Sequence, residues 1–300
     1  MQGRSTIEAL ARLLGVASLF GAMACLSPSF AAAASRPAFL KDAKAFTARA
    51  AELFAQAAPQ AKVTIKGPLT LSIDAPGAPA VATLDSAYSF CLRNPDDCER
   101  GLLSYVGKLA ATFETPTAPP ESSKLRAIVR PAGYVETYKK LYSRQGGPVA
   151  EPLVGDLWVL CALDLPGAVK IVSGDQLAAL KLSREDALAA CKQNIAAALP
   201  PLAPYKRDYP WPGVNIVTGD AYDASWMIFP DRWSNLAESV GGDLLVAAPG
   251  VNSIIYGSGR ANDSVVALAK AAAFVAAQAE KPLSTAVFRW TPTGWEEARP

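Results

Sequence analysis

Apolar residues recur at helical spacing between Phe39 and Ala57, with Phe46, Ala50, Leu53 and Phe54 on one side, so this stretch predicts an amphipathic helix. From Ala61 to Ile73 the period drops towards two (Val63, Ile65, Leu69, Leu71, Ile73), which predicts strands broken at Gly67-Pro68. Two helices are expected next, near Leu84–Arg93 and Pro95–Phe113. Asn94 suits the cap of the second, Pro95 its first position, and Asp96 and Asp97 the positive end of its dipole. The proline- and serine-rich run from Thr115 to Ser123 then interrupts every periodicity. A connector at 115–124 therefore separates an N-terminal lobe, 35–114, from a C-terminal lobe, 125–300.

Leu125 to Val129 predicts a strand ended by Arg130-Pro131, and Leu157 to Leu165 a strongly apolar strand buried on both faces. Ser183-Arg184-Glu185-Asp186 resembles a capping box with Asp for the usual Glu, opening a helix that carries Cys191 between Leu188 and Ile195. Val214–Thr218 and Tyr222–Phe229, around Gly219-Asp220, suggest a hairpin. Pro230 starts a helix that Gly241-Gly242 ends. Leu244–Ala248 and Ser253–Tyr256 are strands around Pro249-Gly250, and Asn262 caps an alanine-rich helix to about Gln278. Ala286–Trp290 and Trp295 form a last hairpin. Strand pairs and helices alternate without a β-α-β period, which predicts an α+β fold with a mainly antiparallel sheet, packed helices and two lobes.

The first residues change how the rest is read. Arg4 and Arg12 precede an uncharged apolar run, Leu13 to Leu26, followed by a break at Ser27-Pro28 and by Ala31 to Ala34. These are the three parts of a signal peptide. The apolar run is shorter than the roughly 18 residues of a membrane-spanning helix. Residues 1–34 are therefore expected to be removed near Ala31 to Ala34, leaving a periplasmic or secreted chain without a membrane span. About 266 residues then remain, enough for one large or two small domains. A net charge of +2 is too small to predict nucleic-acid binding.

Loss of Cys25 with the signal leaves Cys91, Cys98, Cys161 and Cys191, an even number in an oxidising compartment. Cys91 and Cys98 flank the elbow between two predicted helices, so a Cys91–Cys98 disulfide is expected. Cys161 and Cys191 either form a second disulfide or stay as two buried thiols. No C-x-x-C is present, which argues against a thioredoxin-type centre.

The chain contains no histidine. This removes Ser-His-Asp and Cys-His catalysis and the commonest zinc ligand. The G-x-S-x-G, S-x-x-K and phosphate-loop signatures are absent, and Gly257-Ser258-Gly259 reads as a loop, not a dinucleotide turn. Carboxylate chemistry, an unusual lysine base or an oxygen-ligand metal survive as options. Neither a metal site nor a cofactor is predicted.

Three groups of residues stand out. Asp220 and Asp223 flank Tyr222 at the expected hairpin tip, where they either bind calcium or a polar ligand or simply make the turn. Arg126, Arg130, Lys139, Lys140 and Arg144 form a basic stretch opposed by Glu136, either a docking face for an anion or a solvated surface. The segment Pro204 to Pro212 holds Tyr205, Tyr209 and Trp211 between prolines, giving either a low-entropy recognition loop or a lid on the core.

From Leu125 onward the succession of motifs resembles the YtpQ-like family of bacterial proteins, a domain of unknown function. The carriers are Arg130-Pro131 before Tyr134, the run from Glu151 to Val159, Leu163-Asp164-Leu165-Pro166, the run from Leu182 to Leu188, and Gly241 to Pro249. The resemblance implies an α+β fold and supplies no catalytic residues, and the signal and cysteines depart from the cytoplasmic members. The expected function is that of a non-catalytic exported protein binding an envelope protein or a small ligand. The alternative is a histidine-independent hydrolase of envelope polymers, using paired carboxylates drawn from Asp156, Asp164, Asp220 and Asp223. A chaperone-like assembly factor would leave the same traces.

Overall fold

The computed structural model describes residues 36–75, 78–114, 120–165, 168–202, 211–218, 222–279 and 281–299. The expected signal peptide, Tyr205, Tyr209 and Asp220 lie outside these residues. The chain from Arg36 to Pro300 forms one compact unit.

A 3-10 turn at Ala38–Lys41 leads into α1 (Ala43–Ala57). Asp42 caps α1 by accepting the Ala45 N–H at 2.7 Å, worth about 1 kcal/mol. The strands β1 (Lys62–Gly67), β2 (Thr70–Ala75) and β3 (Ala78–Thr83) then form an antiparallel meander. Its first turn places Leu69 at φ 57°, a left-handed conformation costing about 1–2 kcal/mol for a residue with a Cβ. Two bonds hold it there: Leu69 N–H donates to Thr47 Oγ1 and Leu69 C=O accepts from Leu84 N–H. Helices α2 (Asp85–Arg93) and α3 (Cys98–Glu114) complete this half. Asn94 does not cap the second helix as expected: its side-chain amide donates to the Phe90 carbonyl, closing α2 instead. Phe46, Leu53, Phe54, Leu71, Ile73, Leu102 and Val106 share a core built wholly from residues 40–110.

The remaining chain builds two further antiparallel sheets. The strands β4 (Leu125–Pro131), β5 (Ala150–Val154), β6 (Leu157–Leu165) and β7 (Ala168–Ile171) make the first. The predicted apolar strand β6 is its centre. β4 runs along one edge of β6, while β5 and β7 lie end to end along the other, meeting where Val149 and Val172 bond to Cys161. Alternate β6 residues serve two cores. Leu157, Val159, Cys161 and Leu163 face the main core, whereas Leu160 and Ala162 face a smaller one closed by α4 (Ala132–Leu141).

Helix α5 (Gly174–Leu180) precedes α6 (Arg184–Ala198). Ser183 caps α6 through the Asp186 N–H, but the box is only half made. Asp186 is a methylene shorter than Glu and takes the Ser183 hydroxyl proton at 2.8 Å.

β8 (Val214–Thr218) is not half of a hairpin with Tyr222–Phe229; that expectation fails. Asp223–Ile228 is a 3-10 helix whose first five residues are buried. Its backbone closes on itself through i to i+3 bonds, Ser225 N–H to the Tyr222 carbonyl and Phe229 N–H to the Trp226 carbonyl, and β8 instead pairs with a distant partner, Ser253–Ser258. A second 3-10 turn, Pro230–Trp233, runs into α7 (Ser234–Ser239). Gly241 and Gly242 end it as expected, at φ 89° and 93°, with Gly242 N–H returning to the Ala237 carbonyl.

The last sheet has the order β12-β11-β9-β10-β8, from β9 (Leu244–Gly250), β10 (Ser253–Ser258), β11 (Val287–Thr291) and β12 (Gly294–Ala298). Gly257 and Ser258 belong to β10 and not to a loop; a Cβ on Gly257 would stand 2.7 Å from the Gly213 carbonyl oxygen. Leu245, Ala247 and Ile255 pack under α8 (Ser264–Gln278), and Leu244, Val246 and Tyr256 join the main core with Trp226 and Trp233. Asn262 does not cap α8, which follows Asp263 without a side-chain bond.

Both disulfides are present. Cys91–Cys98 ties α2 to α3 with Cα atoms 4.4 Å apart, and Cys161–Cys191 ties β6 to α6 at 5.8 Å. No helix among the described residues is long and apolar enough to cross a membrane.

Candidate functional site

The basic stretch is spread over a surface and occupied locally. Arg126 and Arg130 stand four residues apart on β4 and so on the same sheet face. Arg126 Nη1 donates to the Ser123 and Leu125 carbonyls, and its Nε lies 4.0 Å from Asp164. Arg130 donates to the Val129 carbonyl and lies 5.7 Å from the Tyr134 ring centre. Lys139 pairs with Glu136 at 2.7 Å and sits over the Trp158 ring, while Lys140 is exposed. Beneath them Tyr134, Tyr138 and Tyr142 stack along α4, with ring centres 4.6 and 5.5 Å apart. Burial pushes the Tyr142 hydroxyl up to about 12, and raises that of Tyr138 well above its ordinary value.

Trp211 packs edge-on against Phe274 of α8, with ring centres 4.8 Å apart, beside the α8 core. Asp220 lies outside the described residues, and Asp156 and Asp164 do not converge. Asp156 and Asp164 sit at opposite ends of β6, about 26 Å apart at the rise of an extended strand. Asp223 is buried in its 3-10 helix rather than displayed on a turn.

A different cleft holds two carboxylates. Gly155 and Asp156 form the two-residue turn between β5 and β6, with Gly155 at φ 53°. The Ala132 N–H donates to the Asp156 carbonyl at 2.8 Å, anchoring that turn to the start of α4. Lys281 to Ser284 runs beside β9, where Leu283 and Ser284 N–H groups donate to Pro249 and Ala248. This places the nearly buried Ser284 against the turn. Its hydroxyl donates to Asp156 Oδ1 at 2.7 Å and accepts from Ala286 N–H at 3.1 Å.

Glu297 arrives from β12, where its cross-strand neighbour is Phe288. The Phe288 ring is also what a Cβ on Gly155 would meet, at 3.0 Å, so the turn and β12 share one neighbour. Gly155, Asp156, Ser284, Thr285, Ala286 and Glu297 together line an open cleft of about 550 Å³. Asp156 is the one sequence candidate in it. Ser284, Thr285 and Glu297 carry no local signal, because an irregular segment and an edge strand 128 or more residues from Asp156 meet it only in the fold.

The described residues contain no cluster of three metal-ligating side chains. The cleft is lined by two exposed carboxylates, two hydroxyls and no aromatic side chain. Comparison with family models, with curated proteins and with solved structures finds no match for this chain.

Proposed function

We propose that this chain is an exported, non-catalytic binding protein of the cell envelope that takes a small polar ligand in the Asp156–Ser284–Glu297 cleft. The observation that carries the reading is the cleft itself, where a nearly buried serine orients one carboxylate and a second lines the same space. The basic start, apolar run and alanine exit of residues 1–34 support export, as do two disulfides, which persist in oxidising compartments. Kinship with the YtpQ-like family belongs to the same proposal and rests on the five motif segments from Arg130 to Pro249.

Asp156 and Glu297 on one cleft favour a second reading, hydrolysis by paired carboxylates. Saturation-transfer NMR of the intact purified protein with small polyhydroxylated and amine-bearing compounds separates the two. Thr285 is exposed and lines the cleft, so Thr285→Trp fills it without touching the fold's interior. Saturable binding that this variant abolishes, with every compound recovered unchanged, supports binding. New products that also vanish in the variant support hydrolysis. Binding indifferent to the variant sinks both.

A further inference from the structure

An open sheet edge invites a further strand, and natural sheets blunt such edges with charge, proline or a covering segment. Most edge strands of this chain are blunted in these ways. β1 carries Lys62 and Lys66, β3 Pro79, β5 Glu151 and Pro152, β7 Lys170, and β12 Glu296 and Glu297. The edge of β4 is occupied: the Ser225 hydroxyl donates to the Ala127 carbonyl at 2.9 Å, and the Asn194 amide to the Leu125 carbonyl at 3.0 Å. Among the described edge strands β8, Val214-Asn215-Ile216-Val217-Thr218, is the exception. It has neither charge nor proline and pairs with β10 along its whole length without a bulge. Asn215, Ile216 and Val217 make no backbone bond outside that ladder among the described residues.

Apolar side chains flank the same edge. α8 packs over β9 and β10 and leaves β8 at its margin. Trp211, just ahead of β8, meets Phe274 of α8 edge-on, and Phe274 stays 48% exposed. Lys270 is the one charge that α8 carries.

The occupant follows from the strand's own sequence. Laid antiparallel against itself about Ile216, β8 sets Ile216 opposite the second copy's Ile216 and Asn215 opposite the second copy's Val217. This pairs β-branched side chains and brings no like charges together. The same operation on β1 sets Lys62 against Lys66, and on β12 sets Glu296 against Glu296, so those edges repel their own copies. Antiparallel pairing also keeps both α8 helices on one face, about four strand spacings or ~19 Å apart. Directly packed helices stand about 8–10 Å apart, so a gap about one helix wide lies between them.

We infer that β8 is a dimerisation edge: two copies of this chain pair their β8 strands antiparallel, joining two five-stranded sheets into one, with Phe274 and Trp211 of each copy in the gap between the α8 helices.

Sedimentation velocity of the intact protein from low to high micromolar concentration tests this. The unaltered chain should pass from monomer to dimer as concentration rises. Asn215→Lys, which charges the strand, and Phe274→Glu, which charges the exposed flank, should each weaken association at least tenfold. The Asn215→Cys/Val217→Cys variant should form a covalent dimer under mild oxidation, since the register brings the two new thiols together across copies. Melting curves identify any variant that fails to fold; if Asn215→Lys does, Phe274→Glu and the cysteine variant decide. A monomer at every concentration overturns the inference. A dimer that survives either folded charge substitution, or that yields no covalent product, overturns it as well.

Discussion

Removing the Cys161–Cys191 disulfide should cost this protein more than removing Cys91–Cys98, although both pairs are buried. The sequence separations are 30 and 7 residues. On a chain-entropy account, a cross-link restricts the unfolded chain more as its loop lengthens, giving about 3.6 kcal/mol for the longer loop and about 2.3 kcal/mol for the shorter at 25 °C. Packing does not separate the pairs, since all four cysteines are fully buried and truncation to alanine leaves a small void in either core. Urea unfolding of Cys161→Ala/Cys191→Ala and of Cys91→Ala/Cys98→Ala, followed by fluorescence, reads the two losses against the unaltered protein. The long-loop pair should lose about 3–4 kcal/mol and the short-loop pair about 2–3 kcal/mol, with similar urea slopes. A short-loop loss equal to or larger than the long-loop loss would refute the argument. So would free thiols at these positions in native protein.

Alkaline pH should destabilise the fold through the tyrosine stack on α4. Burial raises Tyr142 from 10.0 to about 12, so the native state keeps the proton longer than the unfolded chain does. Its contribution is complete below about pH 10 and is lost as pH climbs towards 12, by about 2–3 kcal/mol. Tyr142→Phe should remove that part of the decline in a series of denaturation midpoints from about pH 9 upward; an unchanged slope counts against it. Trp233 is fully buried, meets Trp295 edge-on at 5.1 Å and donates its indole N–H to the Trp226 carbonyl. Trp233→Ala should therefore cost about 3–5 kcal/mol in urea unfolding, and a loss under about 1 kcal/mol would show that the core is not organised around it.

The hairpin expected at Val214–Phe229 shows where local reading stops. Val214–Thr218 has the alternation of a strand and is one, but its partner lies in β10, some forty residues away. Tyr222–Phe229 carries the same mixture of apolar and small residues, yet Asp223–Ile228 within it is a 3-10 helix that puts Ala224, Trp226 and Met227 into the main core. Helix α4 gave no distinct signal either. Its tyrosines at i, i+4 and i+8 stack on one another and cover the back of β6, a role set by the sheet.

Periods of apolar residues, turn glycines and helix-capping side chains act within a few residues, so α1, the β1–β2 break, the Ser183 cap and the Gly241-Gly242 stop were legible in the chain alone. The missing histidine and the two separated cysteine pairs were equally plain, and they bounded the chemistry before any fold was known. Strand partners, the choice between thiols and a second disulfide, and the meeting of Asp156 with Ser284 and Glu297 depend on contacts across 30 to more than 100 residues. Such contacts arise from burying whole faces together, a collective effect that no short stretch of sequence carries.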